Sequence, residues 1–339
     1  MNTREAIQKV VECIDLTETE AFEVMNDMMS GTATAAQIGA LITAMRMKGE
    51  TIAEVTGMAR SMRTYASTIA PNLKDLVDTC GTGGDHSFTF NISTTAALVA
   101  AGAGVPIAKH GNRSVTSKTG SADVLEVLGV RLDLPPEKVE ACINRVGIGF
   151  MFAPLFHGAM KYAIGPRKEI GIRTVFNILG PLTNPANASG HLLGVYSEKI
   201  MDLMAHVLKN LGVKRAFIVH GVDGLDEMSI TGETKAAVLL NGKITKHTYT
   251  PEMFGFERVP LEAIRGGDHN ENAEILVNIL KGVTTGPYLD VTLLNAAAAI
   301  VAGGKTDSIE EGLKLARRSI ETGAALKKLE ELVTCTKQC

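Results

Sequence analysis

From Pro71 onward the chain alternates short apolar runs, each ended by a glycine-rich turn, with helical stretches, and this alternation is what most limits its fold. Strands and helices that take turns along a chain build an α/β domain around a mostly parallel central sheet flanked by helices. The runs at 76–78, 105–108, 149–152, 191–195 and 216–219 are the expected strands, and the stretches at 94–102, 121–128, 136–145 and 199–211 the expected helices. Asn241-Gly242, between runs at 236–240 and 243–248, is the residue pair of a type I′ hairpin, so an antiparallel patch should join the sheet. From Asn270 the pattern returns to helices.

Residues 1–70 follow another rule. Thr17, Thr34 and Thr51 each have Glu or Gln three positions later, at Glu20, Gln37 and Glu54, the reciprocal arrangement that caps a helix start. Behind them Ile38, Leu41, Ile42 and Met45, then Val55, Met58, Ala59 and Met62, recur at the helical period, and Ile7, Val10, Val11 and Ile14 form an earlier stripe. The reading is a small all-helical N-terminal domain over 1–70, joined by helices around 160–185, beside a large α/β domain over 71–339. A length of 339 residues exceeds the roughly 250–300 that one core usually serves. Two domains imply a cleft.

Composition narrows the function. A hydrophobic content of 45% with 21% charged residues is that of an ordinary globular protein, and a formal charge of −3 offers no general attraction to nucleic acid or anionic lipid. Neither is expected as a partner. The five cysteines form no C-x-x-C pair and suit a reducing compartment, with Cys335 and Cys339 read as an exposed tail. The start of the chain reads as free of a targeting signal. The longest uncharged apolar stretches, near 96–108 and 293–303, fall short of the ~18 residues of a membrane span. A cytoplasmic protein is the expectation.

Four clusters could carry chemistry. In Cys80-Gly81-Thr82-Gly83-Gly84-Asp85, after the first strand, the glycines let backbone N–H groups converge on an anion, although a plain tight turn fits as well. The spacing is neither G-x-G-x-x-G nor G-x-x-x-x-G-K-[ST]. Thr89-Phe90-Asn91-Ile92-Ser93-Thr94 precedes an apolar helix, so Asn91, Ser93 and Thr94 stand where N-caps stand and where anions also settle. The segment from Lys109 to Lys118, KHGNRSVTSK, sets three permanent cations among hydroxyl and amide side chains at the carboxyl end of a strand, where ligands of α/β sheets bind. A solvated charged surface is the bland alternative. After another strand, Asp223-Gly224 reads as a turn, and Asp226-Glu227 reads either as an exposed loop or as a hard-cation site. His157 fits a core histidine, and Arg167 fits either a helix-face ion pair or a fork for a substrate carboxylate.

Taken in order, DTCGTGGD (78–85), FNIST (90–94), KHGNRSVTSKTGSADVLE (109–126), FMFAP (150–154) with His157, GIRTVFNILGPLTNP (171–185) and VHGVDGLDE (219–227) resemble the motifs of the anthranilate phosphoribosyltransferase family. The resemblance implies transfer of 5-phosphoribosyl from phosphoribosyl diphosphate to the amine of anthranilate, in tryptophan biosynthesis. It implies that Gly81, Gly84, Asp85, Thr89, Asn91, Ile92, Ser93, Thr94, the stretch Lys109, His110, Gly111, Asn112, Arg113, Ser114, Val115, Thr116 and Ser117, and Ser121 hold the donor. Ser93, Asp226 and Glu227 would bind Mg²⁺; Gly81, Asn112 and Arg167 would contact anthranilate, with His110 and His157 lining its channel. The family's members are usually homodimers through the helical domain. Two departures stand out: Gly158 where the family pattern suggests proline, and Lys168 where arginine is common. No single acid or base is assigned. A pyrimidine nucleoside phosphorylase of similar fold, or a non-catalytic nucleic-acid-binding relative, are the alternatives.

Overall fold

The computed structural model describes residues 1–85, 87–114 and 119–339. It opens with four helices, α1 (Thr3–Val11), α2 (Glu18–Ser30), α3 (Ala35–Lys48) and α4 (Ile52–Tyr65). Each begins with a complete capping box: Asn2 with Glu5, Thr17 with Glu20, Thr34 with Gln37, and Thr51 with Glu54. The expected stripes of α3 and α4 are buried, but Val11 is 62% and Ile14 46% exposed. The inward residues of α1 are Thr3, Ala6 and Val10. Val11 lies one helical step off that face, and Ile14 lies beyond the helix end. Helices α2 and α4 touch backbone to backbone at Gly57, where an added Cβ would meet the Glu18 carbonyl oxygen at 2.1 Å.

The remainder runs β1 (Val77–Gly81), α5 (Ile92–Gly102), β2 (Ile107–Gly111), α6 (Ser121–Val127), α7 (Pro136–Val146) and β3 (Ile148–Phe152). It continues with α8 (Ala153–Phe156), α9 (Lys161–Ile170), α10 (Phe176–Leu179), β4 (Gly190–Gly194), α11 (Met201–Asn210), β5 (Arg215–Gly221), β6 (Thr234–Leu240) and β7 (Lys243–Tyr249). Helices α12 (His269–Leu280), α13 (Pro287–Ala302), α14 (Ile309–Glu321) and α15 (Ala324–Gln338) complete the chain. Among the described residues no helix is long and apolar enough to cross a membrane.

The seven strands form one sheet in the order β3-β2-β1-β4-β5-β6-β7, parallel from β3 to β5 and antiparallel from β5 to β7. The β6–β7 turn is the expected type I′ hairpin, with Asn241 at φ 51° and Gly242 at φ 78°. Alternate residues of a strand face opposite sides of a sheet, and β4 shows the result. Leu192 packs with α5 and α13, whereas Leu193 packs into a core shared with α2, α3, α4 and α11. Ala163 of α9 and Val175, Phe176 and Leu179 at α10 enter that second core, so the N-terminal helices are welded to one face of the sheet.

Two expectations need correction. Strand β1 runs on through Cys80 and Gly81, and β2 through Lys109, His110 and Gly111, because the parallel ladders to β4 and β3 extend that far. Those residues are therefore strand rather than loop. Cys335 and Cys339 form no exposed tail: α15 packs on α7, Cys335 is buried, and the Cys339 sulfur lies 3.9 Å from that of Cys142.

Candidate active site

In a sheet of this order the chain winds away from β1 on one side and from β4 on the other, which opens a crevice outside their carboxyl ends. The glycine-rich cluster, the start of α5 and the Asp226-Glu227 pair meet there. Gly81 pairs with Gly194 across β1 and β4, and the 226–227 segment lies over both. An added Cβ on Gly81 would stand 2.4 Å from the Asp226 carboxylate, and one on Gly194 would stand 1.5 Å from the Asp226 carbonyl oxygen. Glycine is required at both positions by close approach of another chain segment.

The turn beyond β1 is held by hydrogen bonds. Thr82 N donates to the Gly194 carbonyl at 2.9 Å, the Thr82 hydroxyl accepts from Tyr196 N at 3.0 Å, and Gly83 N donates to Asp226 Oδ2 at 3.0 Å. Gly83 and Gly84 both have positive φ, 66° and 75°. The Gly84 carbonyl accepts from Arg173, whose guanidinium lies 4.1 Å from the centre of the Tyr196 ring. The pair Asp226 and Glu227 is partly buried rather than an exposed loop. Asp223 ends the preceding turn, accepting from Leu225 N at 3.2 Å and from the Ser229 hydroxyl at 2.6 Å.

Burial dominates the electrostatics of this corner. Burial, reinforced by the charge of Asp85, pushes the Asp226 carboxyl up to about 7. Burial and then Asp226 hold Glu227 well above the usual carboxylate range, against the opposing pull of Lys109 and of the Ser93 backbone N–H that donates to it. Hard oxygen ligands at a helix start, partnered mainly by backbone N–H groups, fit a divalent cation such as Mg²⁺ that also carries a phosphorylated ligand.

Asn91 occupies the N-cap position of α5 without capping it. Its side chain instead donates to the Thr119 carbonyl at 3.3 Å and accepts from Asn272 at 3.1 Å. Ile92 and Thr94 are buried and Ser93 half-buried, and the Thr94 hydroxyl has no hydrogen-bond partner among the described residues. Thr89 forms an isolated antiparallel bridge with Arg265.

The basic segment divides. Lys109 is buried, and its ammonium donates to the Thr79 carbonyl and lies 3.3 Å from the Ser93 hydroxyl; burial lowers its pKa while Asp78 raises it. Arg113, expected to face a diphosphate, is paired with α6 instead, at 2.8 Å from Glu126 and 2.9 Å from Asp123. Gly111 abuts Ser121, whose hydroxyl is 3.4 Å from the carbonyl of the exposed Asn112, and Ser114 N donates to Asp123 at 3.1 Å. Val115, Thr116, Ser117 and Lys118 lie outside the described residues.

His110 and His157 come together with ring centres 5.0 Å apart. Burial lowers His110 to about 3 and His157 to about 4, so both are neutral near pH 7, and the Nε2 atom of each has no hydrogen-bond partner among the described residues. Arg167 makes no ion pair among the described residues; its guanidinium sits 5.0 Å from the centre of the Phe176 ring. Sequence reasoning assigns no role to Arg173, Thr79, Tyr196, Asn272 or Asn184, which position the site from distant segments. Asn184 anchors the fully buried Asp78 at 2.7 Å, and Asp78 in turn accepts from His110 N at 3.1 Å.

A helical bundle joined to an α/β domain with an anion- and cation-ready crevice defines a class. Residues 4–66 match the glycosyl transferase family, helical bundle domain, and residues 73–326 match the glycosyl transferase family, a/b domain. The anthranilate phosphoribosyltransferase of Geobacter sulfurreducens is 54% identical over 349 residues, covering 99% of each chain. The structure of the anthranilate phosphoribosyltransferase of Thermus thermophilus superposes with a TM-score of 0.94 at 44% identity, covering 98% of this chain and 99% of the other. That of Saccharomyces cerevisiae in complex with PRPP and Mg superposes with a TM-score of 0.92 at 28% identity, covering 99% and 98%, and has also been solved with 4-fluoroanthranilate. The chain belongs to the anthranilate phosphoribosyltransferase family.

Proposed function

We propose that this protein transfers the 5-phosphoribosyl group of phosphoribosyl diphosphate to the amine of anthranilate, releasing diphosphate, and that the crevice outside β1 and β4 is where it does so. The observation that carries the placement is the convergence of the Gly81–Asp85 turn, the start of α5 and the Asp226-Glu227 pair at one point. In this reading Gly81, Gly84, Asp85, Thr89, Asn91, Ile92, Ser93, Thr94 and the 109–117 segment with Ser121 hold the donor. Ser93, Asp226 and Glu227 hold Mg²⁺, whose contribution when bound is to neutralise charge on the diphosphate. Lys109 adds a fixed cation beneath Ser93, and backbone N–H groups preorganised at the turn add partial positive charge. Arg113 reaches the diphosphate only by leaving Glu126 and Asp123.

The acceptor would enter past His110 and His157 and meet Asn112, Gly81 and Arg167. Two neutral imidazoles suit an aromatic amine, which attacks unprotonated. The C1–N bond forms as the C1–O bond to diphosphate breaks, and the amine then loses a proton. Positioning supplies much of the rate, so no single general base is assigned. The division at 70/71, a cytoplasmic location and a homodimer through the helical unit complete the proposal; exposed Met47 (84%) and Val11 (62%) on that unit support the last.

The test follows anthranilate fluorescence in a mixture of protein, phosphoribosyl diphosphate and Mg²⁺, with parallel samples lacking donor or metal. Fluorescence loss that needs both, and collapses in Asp226→Ala/Glu227→Ala, supports the reading. Unchanged fluorescence from folded protein removes anthranilate as acceptor and turns the search to nucleoside phosphorolysis.

A further inference from the structure

Three thiols meet where α15 packs on α7. Cys142 on α7, Cys335 on α15 and Cys339 just past it bring their sulfurs within 4.8 Å of one another. Cys142 and Cys335 are buried, and Cys339 is half-buried, which leaves a path from solvent. The Cys142 and Cys339 sulfurs are 3.9 Å apart. Two thiolates bound to one metal at about 2.3 Å with a tetrahedral angle stand about 3.8 Å apart. A disulfide would need about 2.05 Å and would leave the third thiol idle. Arg145 donates to the side chain of Gln338, the residue before Cys339, at 3.3 Å.

We propose that Cys142, Cys335 and Cys339 form a binding site for a thiophilic d¹⁰ cation that pins α15 to α7. Soft thiolate ligands select such ions over Mg²⁺. Three S–H protons leave for solvent as three metal–sulfur bonds form, with no change of oxidation state, and a divalent ion leaves the cluster with one net negative charge.

The test titrates reduced, metal-free protein with Zn²⁺ against a chromogenic chelator and counts reactive thiols with and without the metal. One tightly held Zn²⁺ per chain and three protected thiols are expected. Cys339→Ser and Cys335→Ser should each weaken binding more than about 100-fold, beyond the loss typical of an outer-shell partner. Cys13→Ser, at an exposed thiol, should leave it unchanged. Asp226→Ala/Glu227→Ala should retain the ion, which separates this site from the carboxylate corner. Because Cys335 is buried, the half-buried Cys339 is the decisive position if Cys335→Ser fails to fold. Zn²⁺ bound as tightly by folded Cys339→Ser, lost with the carboxylates, or not held at all would overturn the proposal.

Discussion

Gly194→Ala would put a methyl group where the backbone of Asp226 now runs. The new Cβ would lie 1.5 Å from the Asp226 carbonyl oxygen and 2.4 Å from its carbon. A carbon–oxygen contact settles near 3.3 Å, so the 226–227 segment must retreat by about 1.8 Å. A misplacement of about 1 Å can cost about 100-fold in rate, and 100-fold is about 2.7 kcal/mol of transition-state stabilisation. The overpacked strand should lose about 1–3 kcal/mol of stability and still fold. The assay is the initial rate of anthranilate consumption at saturating donor, acceptor and Mg²⁺, run beside a thermal melt. We expect kcat at least about 100-fold down. Gly158→Ala is the control, since nothing lies within 4 Å of its added Cβ, and it should stay within about twofold. A folded Gly194→Ala enzyme with kcat within about threefold of the parent would refute the placement of the catalytic corner.

Other tests reach different parts of the molecule. Asp226 titrates near 7 when folded, against about 3.9 unfolded, so its contribution to stability falls as pH rises across that window; Asp226→Asn should flatten the fall in melts from pH 4 to 8 and abolish Mg²⁺-dependent turnover. His191, fully buried on β4, is lowered to about 3, so the unfolded chain takes up its proton first and stability is lost as pH drops below about 6.5; His191→Asn should reduce that slope in urea titrations at pH 7 and 5, and an unchanged slope would count against it. Glu54 is buried and accepts from Leu16 N, Thr51 N and Lys48, so Glu54→Ala should cost about 3–5 kcal/mol by urea unfolding; a loss under about 1 kcal/mol would show the network to be dispensable. Met47→Glu should shift sedimentation from dimer to monomer without altering the monomer's fold, and an unchanged coefficient would remove Met47 from the interface.

The motif-bearing segments were legible because each encodes its own local physics. Thr17, Thr34 and Thr51 satisfy helix N–H groups within their own first turns, and Asn241-Gly242 carries the left-handed pair that a tight hairpin needs. The glycines at 81, 83 and 84 announced a sharp turn with converging N–H groups. What they approach was not legible, because Asp226 is 145 residues from Gly81 and meets it only through the parallel pairing of β1 with β4. Arg113 shows the same limit from the other side. Its type and place suggested a phosphate, and two acids of the following helix hold it in the structure.

The sequence by itself therefore determined the helical starts, the alternation of strand and helix and the residue types that collect around a phosphorylated ligand, all of which act over a few residues. Tertiary structure alone decided which of these segments share a crevice, which cations are already paired, and that the cysteines at 142, 335 and 339 converge. Those outcomes depend on strand order and burial, and contacts across a sheet or between distant helices leave no period or spacing along the chain.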